Sequence, residues 1–396
     1  MRGPAHVTIL ARNYLPRALM LADSLREHGS EHPLVIFLTD ARPETELPEV
    51  EGVRWMRPAD LDQLSERAVL DLAMSYDLVE FATAVKPLVL QVLMREFEQV
   101  IYLDPDTYVT SPMAELGPAL DASTGVVLTP HYLEPVPPGS SFSEGHLLHV
   151  GVFNLGFCAV DRKGAGFLDW WWGHLQSECL HGPLDGLFTD QKWVDLGAVL
   201  FGATALRHYG YNVSVANLHE RPIERDAEGY YVASSGDRLR LMHFHAFDPQ
   251  RPDDLYGRVS SKSNGAGAGT EALGELARDY AAKLIGKQQA IGQQPDYVYW
   301  TDTTGRRISR HMRHAYRQAV LESPGSVPSP FVAAEAEDYE RWRRSARKTA
   351  GRLVLSDLAK GVRCALPDEY DALKKRFPGL ARSLRGRYVD DKGMWG

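Results

Sequence analysis

The chain has 396 residues, of which 44% are apolar, and its net charge is −8. These values exclude a disordered chain and suit one large or two ordinary globular domains. No apolar run approaches the ~20 residues of a membrane-spanning helix, and the first ten residues lack a signal sequence, so we expect a cytoplasmic protein. The wide spacing of the cysteines, Cys158, Cys179 and Cys364, predicts reduced thiols and neither a disulfide framework nor a zinc site.

The charge is unevenly distributed along the chain. The segment from Thr301 to Gly396 carries 20 Lys and Arg against 12 Asp and Glu, so the acidic excess belongs to the first 300 residues. This split is typical of a basic unit that faces an anionic acceptor or makes peripheral contact with a membrane surface, and more often of a solvated helical face. We expect no nucleic-acid partner.

The first elements alternate between strand and helix. Residues 6–10 form an apolar run typical of a strand, residues 14–28 have the apolar spacing of a helix, and residues 34–38 and 53–56 are two further strand candidates. This order predicts an α/β fold with a mainly parallel, twisted sheet flanked by helices. There is no Gly-x-Gly-x-x-Gly and no Gly-Lys-Ser/Thr loop, which disfavours a dinucleotide dehydrogenase and a P-loop enzyme.

The stretch Val-Ile-Tyr-Leu-Asp-Pro-Asp-Thr-Tyr-Val at 100–109 is the centre of the functional prediction. Four apolar residues predict a buried strand, preceded by a helix over 76–96 that Pro87 kinks or restarts. Asp104 and Asp106 follow at its carboxyl end, and in extended backbone residues i and i+2 point the same way. Two converging carboxylates suit Mg²⁺ or Mn²⁺, which are commonly held together with phosphate oxygens. The alternative is an ordinary Asp-Pro turn after a strand.

The later sequence predicts further strands, a loop and a helical end. Residues 126–128 and 150–160 are strand candidates, the intervening loop is long enough to be a mobile cover, and alternation over 239–247 would place His243 and His245 on one face. We therefore predict three parts: a catalytic domain over residues 1–250, a flexible connecting segment or lid over 251–295, and a basic, mostly helical C-terminal region over 296–396.

These motifs, taken in order, resemble the metal-dependent glycosyltransferases of the A-type fold, most closely the family-8 retaining enzymes. The resemblance covers roughly residues 7–249 and does not include the C-terminal extension. It implies transfer of a sugar from a nucleotide-diphosphate-sugar to a glycan, glycolipid or small-molecule acceptor. It also implies a Mn²⁺ or Mg²⁺ ion held by Asp104, Asp106 and His243, with His245 as the second choice for the histidine.

The resemblance implies roles for several other residues. Ala11, Asn13 and Tyr14 are similar to the turn that meets the nucleotide base, and Lys86 is similar in position to a basic residue that contacts donor sugar or phosphate. Asn154, in Phe-Asn-Leu-Gly, would line the sugar pocket. Asp190 would hold sugar hydroxyls and Gln191 would lie beneath the anomeric carbon. From the residues alone, Lys86 could equally be a solvated helix lysine, and Asp190 could be a helix cap.

The chain departs from the family at two positions. The acidic residue that reads uracil has no clear equivalent near Arg12, and the Gly and Lys-Pro-Trp that usually follow the late histidine are missing, so Arg251 or Lys262 would have to supply that positive charge. Inversion with Asp190 as the base remains an alternative mechanism. A catalytically inactive nucleotide-sugar or glycan-binding protein and a nucleotidyltransferase remain alternative functions, although the latter normally has a Gly-rich basic loop after its first strand.

Overall fold

The computed structural model describes residues 3–138, 143–255 and 270–370, and it has a mixed α/β architecture. The strands are β1 Ala5–Leu10, β2 Leu34–Leu38, β3 Val53–Met56, β4 Gln99–Leu103, β5 Thr107–Val109, β6 Val126–Pro130, β7 Phe153–Asp161, β8 His181–Gly182, β9 Leu187–Phe188, β10 Thr204–Ala205, β11 Ile223–Asp226, β12 Gly229–Val232 and β13 Leu241–His243. Seven of them form one sheet in the order β10-β6-β7-β4-β1-β2-β3. Only β7 is antiparallel to its neighbours in this sheet, so the sheet is mainly parallel, as predicted.

Helices lie on both faces of this sheet, because its central strands are apolar on both sides and must be covered twice. None of the helices in the described residues is long and apolar enough to cross a bilayer. The α-helices are α1 Leu15–Glu27, α2 Glu66–Ser75, α3 Leu78–Ala84, α4 Lys86–Leu93, α5 Leu116–Ala122, α6 Gly145–Val150, α7 Ala165–Glu178, α8 Gln191–Phe201, α9 Glu271–Ile291, α10 Arg310–Glu322 and α11 Ala336–Ala365.

The helix expected before the acidic strand consists of two helices. α3 ends at Ala84 and α4 begins at Lys86, with Pro87 in the first turn of α4. Proline has no amide hydrogen to donate and is tolerated where a helix begins, so it restarts the helix and does not merely kink it. This restart is what places Lys86 at the first position of a new helix, directed into the protein.

The described part of the predicted connecting segment 251–295 includes a long helix. Residues 271–291 form helix α9, which packs on α1 and β11. Thr270 begins the helix by accepting a hydrogen bond from the amide of Leu273. Tyr280 of this helix stacks on Phe244 with ring centroids 3.9 Å apart. The glycine-rich part of the segment lies outside the described residues.

The described part of the C-terminal region is mostly helical, as predicted, and it shares a hydrophobic core with the sheet. α10 packs on α2, and its Arg313, which is 1% exposed, donates to the carbonyl oxygens of Ala73, Tyr76 and Tyr299. A buried guanidinium is stable only when its donors find acceptors, so this contact depends on both parts of the chain.

Candidate active site

The two acids lie in a tight turn between β4 and β5. The amide of Thr107 donates to the carbonyl oxygen of Asp104 at 3.0 Å, and Pro105 occupies the second position of this turn, which its fixed φ favours. The expectation of extended backbone through Asp104 and Asp106 was therefore wrong. The turn still keeps both side chains at the carboxyl end of β4, which is the edge where open α/β sheets usually bind their ligands.

Strand β13 brings a histidine to this turn. It pairs antiparallel with β5, so that His243 lies opposite Thr107, and the amide of Phe244 donates to the carbonyl oxygen of Asp106 at 2.9 Å. The Nε2 atom of His243 lies 3.2 Å from Oδ1 of Asp106 and 3.6 Å from Oδ2 of Asp104. Asp106 and His243, which are 137 residues apart in sequence, thus form one group with Asp104.

His245 also reaches this group, but not by strand alternation. β13 ends at His243, and His245 lies in the turn that follows. One ligand atom from each of Asp106, His243 and His245 lies within 4.8 Å of the others. Asp104 is at the edge of the group, because its Oδ1 accepts a 2.6 Å hydrogen bond from the hydroxyl of Tyr102.

A second layer of contacts fixes the His243 ring. The side-chain amide of Asn212 donates to Thr129 Oγ1 and to the carbonyl oxygen of Asn154, each at 2.9 Å, so its own Oδ1 faces Nδ1 of His243 at 2.9 Å. This network assigns one hydrogen to Nδ1 and directs Nε2 at the acids, so Nε2 donates to Asp106 when the ring is charged and offers its lone pair to a cation when the ring is neutral. A Cβ at Gly156 would lie 2.5 Å from the ring, so only glycine allows this approach.

The charges in the group oppose the cost of burial. Burial raises the pKa of Asp104, although Lys86 and His243 act against it. Burial would also raise the pKa of Asp106, but the charge and hydrogen bond of His243 lower it overall. Burial alone would lower the pKa of His243, whereas Asp106 and Asp104 raise it. The group therefore favours an ionised Asp106 beside a charged His243 ring, and a bound cation would replace the proton on Nε2.

The donor set fits a divalent ion. Carboxylate oxygens together with a neutral imidazole nitrogen suit first-row divalent ions, and the Asn212 bond presents the Nε2 lone pair that such an ion requires. Asp106, His243 and His245 would hold the ion, with Asp104 beside them.

A buried ion pair forms a second group beside the first. Nζ of Lys86 lies 2.6 Å from Oδ2 of Asp190, and the two side chains are 1% and 4% exposed. Nζ also lies 4.0 Å from the ring centre of Tyr102, whose hydroxyl binds Asp104. Lys86 is therefore not a solvated helix lysine. Nor does Asp190 cap α8: it occupies the N-cap position but accepts no capping hydrogen bond.

Gln191 is the first residue of α8, and both Nε2 and Oε1 of its side-chain amide make hydrogen bonds. Its Nε2 lies 2.8 Å from the carbonyl oxygen of Val150 and 3.3 Å from Nε2 of His131, and its Oε1 accepts from the amide of Leu155 at 3.3 Å. Burial lowers the pKa of His131 to about 3, so its ring is neutral and can accept this hydrogen bond. Asn154 is buried, and its Oδ1 accepts from the amide of Gly156 at 3.0 Å.

Backbone strain is concentrated around these groups. The non-glycine residues with positive φ in the described chain are Thr189 at 46°, Asn212 at 51° and Ala246 at 52°. Thr189 precedes Asp190, Asn212 binds His243, and Ala246 follows His245. Such conformations cost about 1–3 kcal/mol each and persist where the surrounding structure enforces them, which is typical of functional sites.

The turn after β1 lies at the same edge of the sheet. Ala11 is buried, Asn13 is exposed, and the guanidinium of Arg17 lies 4.6 Å from the ring centre of Tyr14. Burial raises the pKa of the Tyr14 hydroxyl, and the charges of Asp106 and Asp104 add to this effect. The structure therefore brings Tyr14 into the electrostatic neighbourhood of the acidic turn.

Comparison with known proteins adds distant structural similarities only. No protein-family model matches the sequence, and no curated protein sequence matches it. Among solved structures, the chain is similar to a glycosyltransferase involved in the glycosylation of the major capsid of PBCV-1, with a TM-score of 0.36 and 11% identity over 66% of this chain and 98% of that chain. It is also similar to apo mouse xyloside xylosyltransferase 1, with a TM-score of 0.38 and 14% identity over 62% of this chain and 98% of that chain. Similarity at this level carries no argument about activity.

Two charged residues beside the candidate site were not predicted from the sequence. Asp40, directly after β2, accepts from the amide of Arg12 at 3.0 Å, with its Oδ2 3.6 Å from Arg12 Nε. Arg17 lies near enough to Asp106 to lower its pKa, although burial acts in the opposite direction and His243 is the stronger influence. The apolar strand ending in Thr39-Asp40 was a usable signal for Asp40. Helical spacing placed Arg17 one turn after Tyr14 but did not show which way it faces.

Of the two cations nominated from the sequence, Arg251 is the one that the structure describes. Arg251 is 66% exposed and pairs with Asp248 and Asp254 at 3.1 and 3.3 Å. Lys262 lies outside the described residues.

Proposed function

We propose that this protein is a metal-dependent glycosyltransferase of the A-type fold, which moves a sugar from a nucleotide-diphosphate-sugar to an acceptor hydroxyl with retention. The observation that carries the proposal is the presentation of His243 Nε2 to Asp106 at 3.2 Å by the Asn212 bond, at the carboxyl end of the central strands. Mn²⁺ suits this set better than Mg²⁺, which prefers oxygen ligands alone. A bound ion would supply positive charge opposite the departing diphosphate.

Different residues around the ion site would bind different parts of the nucleotide-sugar donor. Arg17 is the cation we assign to the diphosphate; its Nε is buried and has no hydrogen-bond partner among the described residues. Tyr14 offers the ring face opposite Arg17 to a nucleotide base. Asp40 and Arg12 would hydrogen-bond the base edge, with Ala11 and Asn13 completing that wall.

The second group would bind the transferred sugar. Lys86 and Asp190 would contact its hydroxyls, Asn154 would line the pocket, and Gln191 would lie beneath the anomeric carbon. Retention is favoured because both carboxylate oxygens of Asp190 are engaged, Oδ2 by Lys86 and Oδ1 by the hydroxyl of Thr189 at 3.1 Å. An inverting base must be free to take a proton from the acceptor.

The acceptor is proposed to be a hydroxyl of a glycan, glycolipid or small molecule. Helix α10 of the C-terminal region packs on α2 of the catalytic unit. The cytoplasmic location expected from the sequence stays a prediction.

The proposal is tested by thermal unfolding with a panel of nucleoside diphosphates and nucleotide-sugars, each with and without Mn²⁺ or Mg²⁺. A ligand present at 100 times its Kd stabilises the folded state by about 2.7 kcal/mol. We expect a metal-dependent rise in Tm with one base, its loss in Asp106→Asn, and its retention in the exposed control Asp121→Asn. A Tm that no nucleotide moves, with or without metal, would contradict the proposal and favour the glycan-binding alternative.

A further inference from the structure

The side of helix α11 that faces the protein is apolar in the first half of the helix and polar in the second half. In its first half Tyr339 and Ala346 are buried in the shared core, as expected of a packed amphipathic helix. In its second half the side turned to the protein is polar: Ser356 is 5% exposed, Asp357 pairs with His311 at 3.0 Å, and Lys360 pairs with Asp185 at 2.6 Å. The apolar side of this half therefore faces away from the fold.

The outward side carries a continuous apolar stripe. Leu358 is 60% exposed and Leu355 is 53% exposed. Residues four apart lie one above the other on a helix, so the stripe runs along one face to the helix end. The members of this stripe are Val354, Leu355, Leu358, Val362 and Leu366.

Positive charge lies before the stripe and along one of its edges, and the acidic residues Asp368 and Glu369 follow its end. Arg347 and Lys348 lie one to two turns before it, and Arg352 and Arg363 lie along its edge, all of them exposed. A helix with an apolar face flanked by Lys and Arg binds in the plane of a membrane interface, and each basic side chain near an anionic surface adds about 1 kcal/mol.

Two other occupants fit this surface less well. The sequence from 371 to 396 carries 7 Lys and Arg against 3 Asp and Glu, so it has the same sign of charge as the flanks it would have to cover. A stable dimer buries about 800 Å² on each partner, more than five half-exposed aliphatic side chains supply, and it would bring like charges together.

We propose that the stripe of α11 docks the protein onto an anionic phospholipid membrane. Lys360, on the side of α11 opposite the stripe, pairs with Asp185 of the β8–β9 hairpin, whose Leu184 is 51% exposed and whose last strand leads through Thr189 into Asp190. Docking therefore places α11 between the lipid surface and this hairpin, so the chain that leads into Asp190 lies one helix diameter, roughly 10–12 Å, from the membrane. Resting on the proposed function, the acceptor is then a hydroxyl on a membrane-anchored glycan or lipid.

The test measures co-sedimentation of the full-length protein with phosphatidylcholine vesicles, with and without phosphatidylglycerol. We expect binding only to the anionic vesicles, weakened by high salt. Leu355→Gln/Leu358→Gln should reduce this binding by about tenfold or more, since burying each leucine is worth about 1.5–3 kcal/mol. The matched control is Val199→Gln/Leu200→Gln, which replaces two aliphatic side chains that are 81% and 58% exposed on α8. This control should bind as the wild type does.

Three results would overturn the docking proposal: no wild-type binding to the anionic vesicles, equal binding by the α11 variant, or equal loss in the α8 control. A dimer in solution that the α11 variant converts to monomer would assign the stripe to a second copy of the chain instead. The nucleotide and Mn²⁺ thermal shifts are measured on the same variants. Intact shifts without vesicle binding refute docking alone, whereas vesicle binding without any shift refutes the proposed activity alone.

Discussion

The Nζ of Lys86 and the Oδ2 of Asp190 lie 2.6 Å apart in the protein interior, and the two opposite charges neutralise each other. Burial would lower the pKa of Lys86, but Asp190 and Asp104 raise it, so the lysine stays charged. Removing one member of such a pair leaves an unpaired buried charge, which costs more than the pair contributes.

We therefore predict strong coupling between these residues. Lys86→Met and Asp190→Leu should each lower the free energy of unfolding by about 3–5 kcal/mol, and the double variant should recover most of this loss without recovering sugar transfer. Urea unfolding measures the effect. Arg95→Ala, which breaks an exposed pair with Asp62, is the control and should change stability little. Additive losses in the double variant would show that the pair is not formed in solution.

The close approach of Gly156 to His243 gives a second prediction. In Gly156→Ala, the new Cβ would lie 2.5 Å from the ring and push it off Asn212, so the affinity for Mn²⁺ should fall by about 10–100-fold. Mn²⁺ titration followed by thermal unfolding reports this directly. Gly173→Ala, inside α7 with nothing within 4 Å, should keep the metal affinity and raise stability by up to about 1 kcal/mol. Wild-type Mn²⁺ affinity in Gly156→Ala would remove His243 from the ligand set.

The pH dependence of stability should depend on His314. Burial lowers the pKa of His314 to about 3, helped by Arg310 and Arg317, and its Nε2 has no hydrogen-bond partner among the described residues. As pH falls below 6.5 the unfolded state gains a proton that the folded state does not, so stability decreases down to the folded pKa of about 3 by up to about 1.4 kcal/mol per pH unit.

His314→Gln should therefore have a shallower loss of stability between pH 6.5 and 4 than the wild type. Denaturant unfolding at a series of pH values measures the slope. The exposed control His149→Gln should keep the wild-type slope. A slope unchanged by His314→Gln would mean that this ring is protonated in the folded protein.

The contact of Arg313 with three carbonyl oxygens gives a fourth prediction. Arg313→Ala should destabilise the protein by about 3 kcal/mol or more, because the buried carbonyl oxygens lose their donor. Donor hydrolysis and transfer to the acceptor should then fall together with the folded fraction. Arg341→Ala, at a 76% exposed arginine of α11, should leave both unchanged. An unaffected Tm in Arg313→Ala would make residues 296–370 an independent unit.

Local pattern was sufficient to predict much of the sheet and part of the site. The apolar runs gave β1, β2 and β4 nearly to the residue, because these strands are buried on both faces and have few polar positions. The predicted strand at 53–56 matches β3, although β3 is only partly buried. The same runs placed Asp106 and His243 at strand ends. The sequence pattern could not predict contacts between residues that are distant in sequence, such as Asn212 with His243 or Arg12 with Asp40. Such contacts form only when the chain packs.

Turn chemistry explains the local error at the acidic residues. A proline after Asp104 is compatible both with extended backbone and with the second position of a turn. The pairing of β5 with β13 favours the turn. His245 joined the group through a left-handed residue, Ala246, that sequence alone does not predict.

The bond between Arg313 and the end of α2 also constrains how the protein is made. The two partners are 240 residues apart, so a ribosome completes α2 long before it reaches α10. At roughly 5–20 residues per second, the interval is about 12 to 50 seconds. Throughout that time the nascent chain holds uncovered carbonyl oxygens and the apolar side of α2. The N-terminal part is therefore exposed to aggregation or to chaperones until the last quarter of the chain emerges.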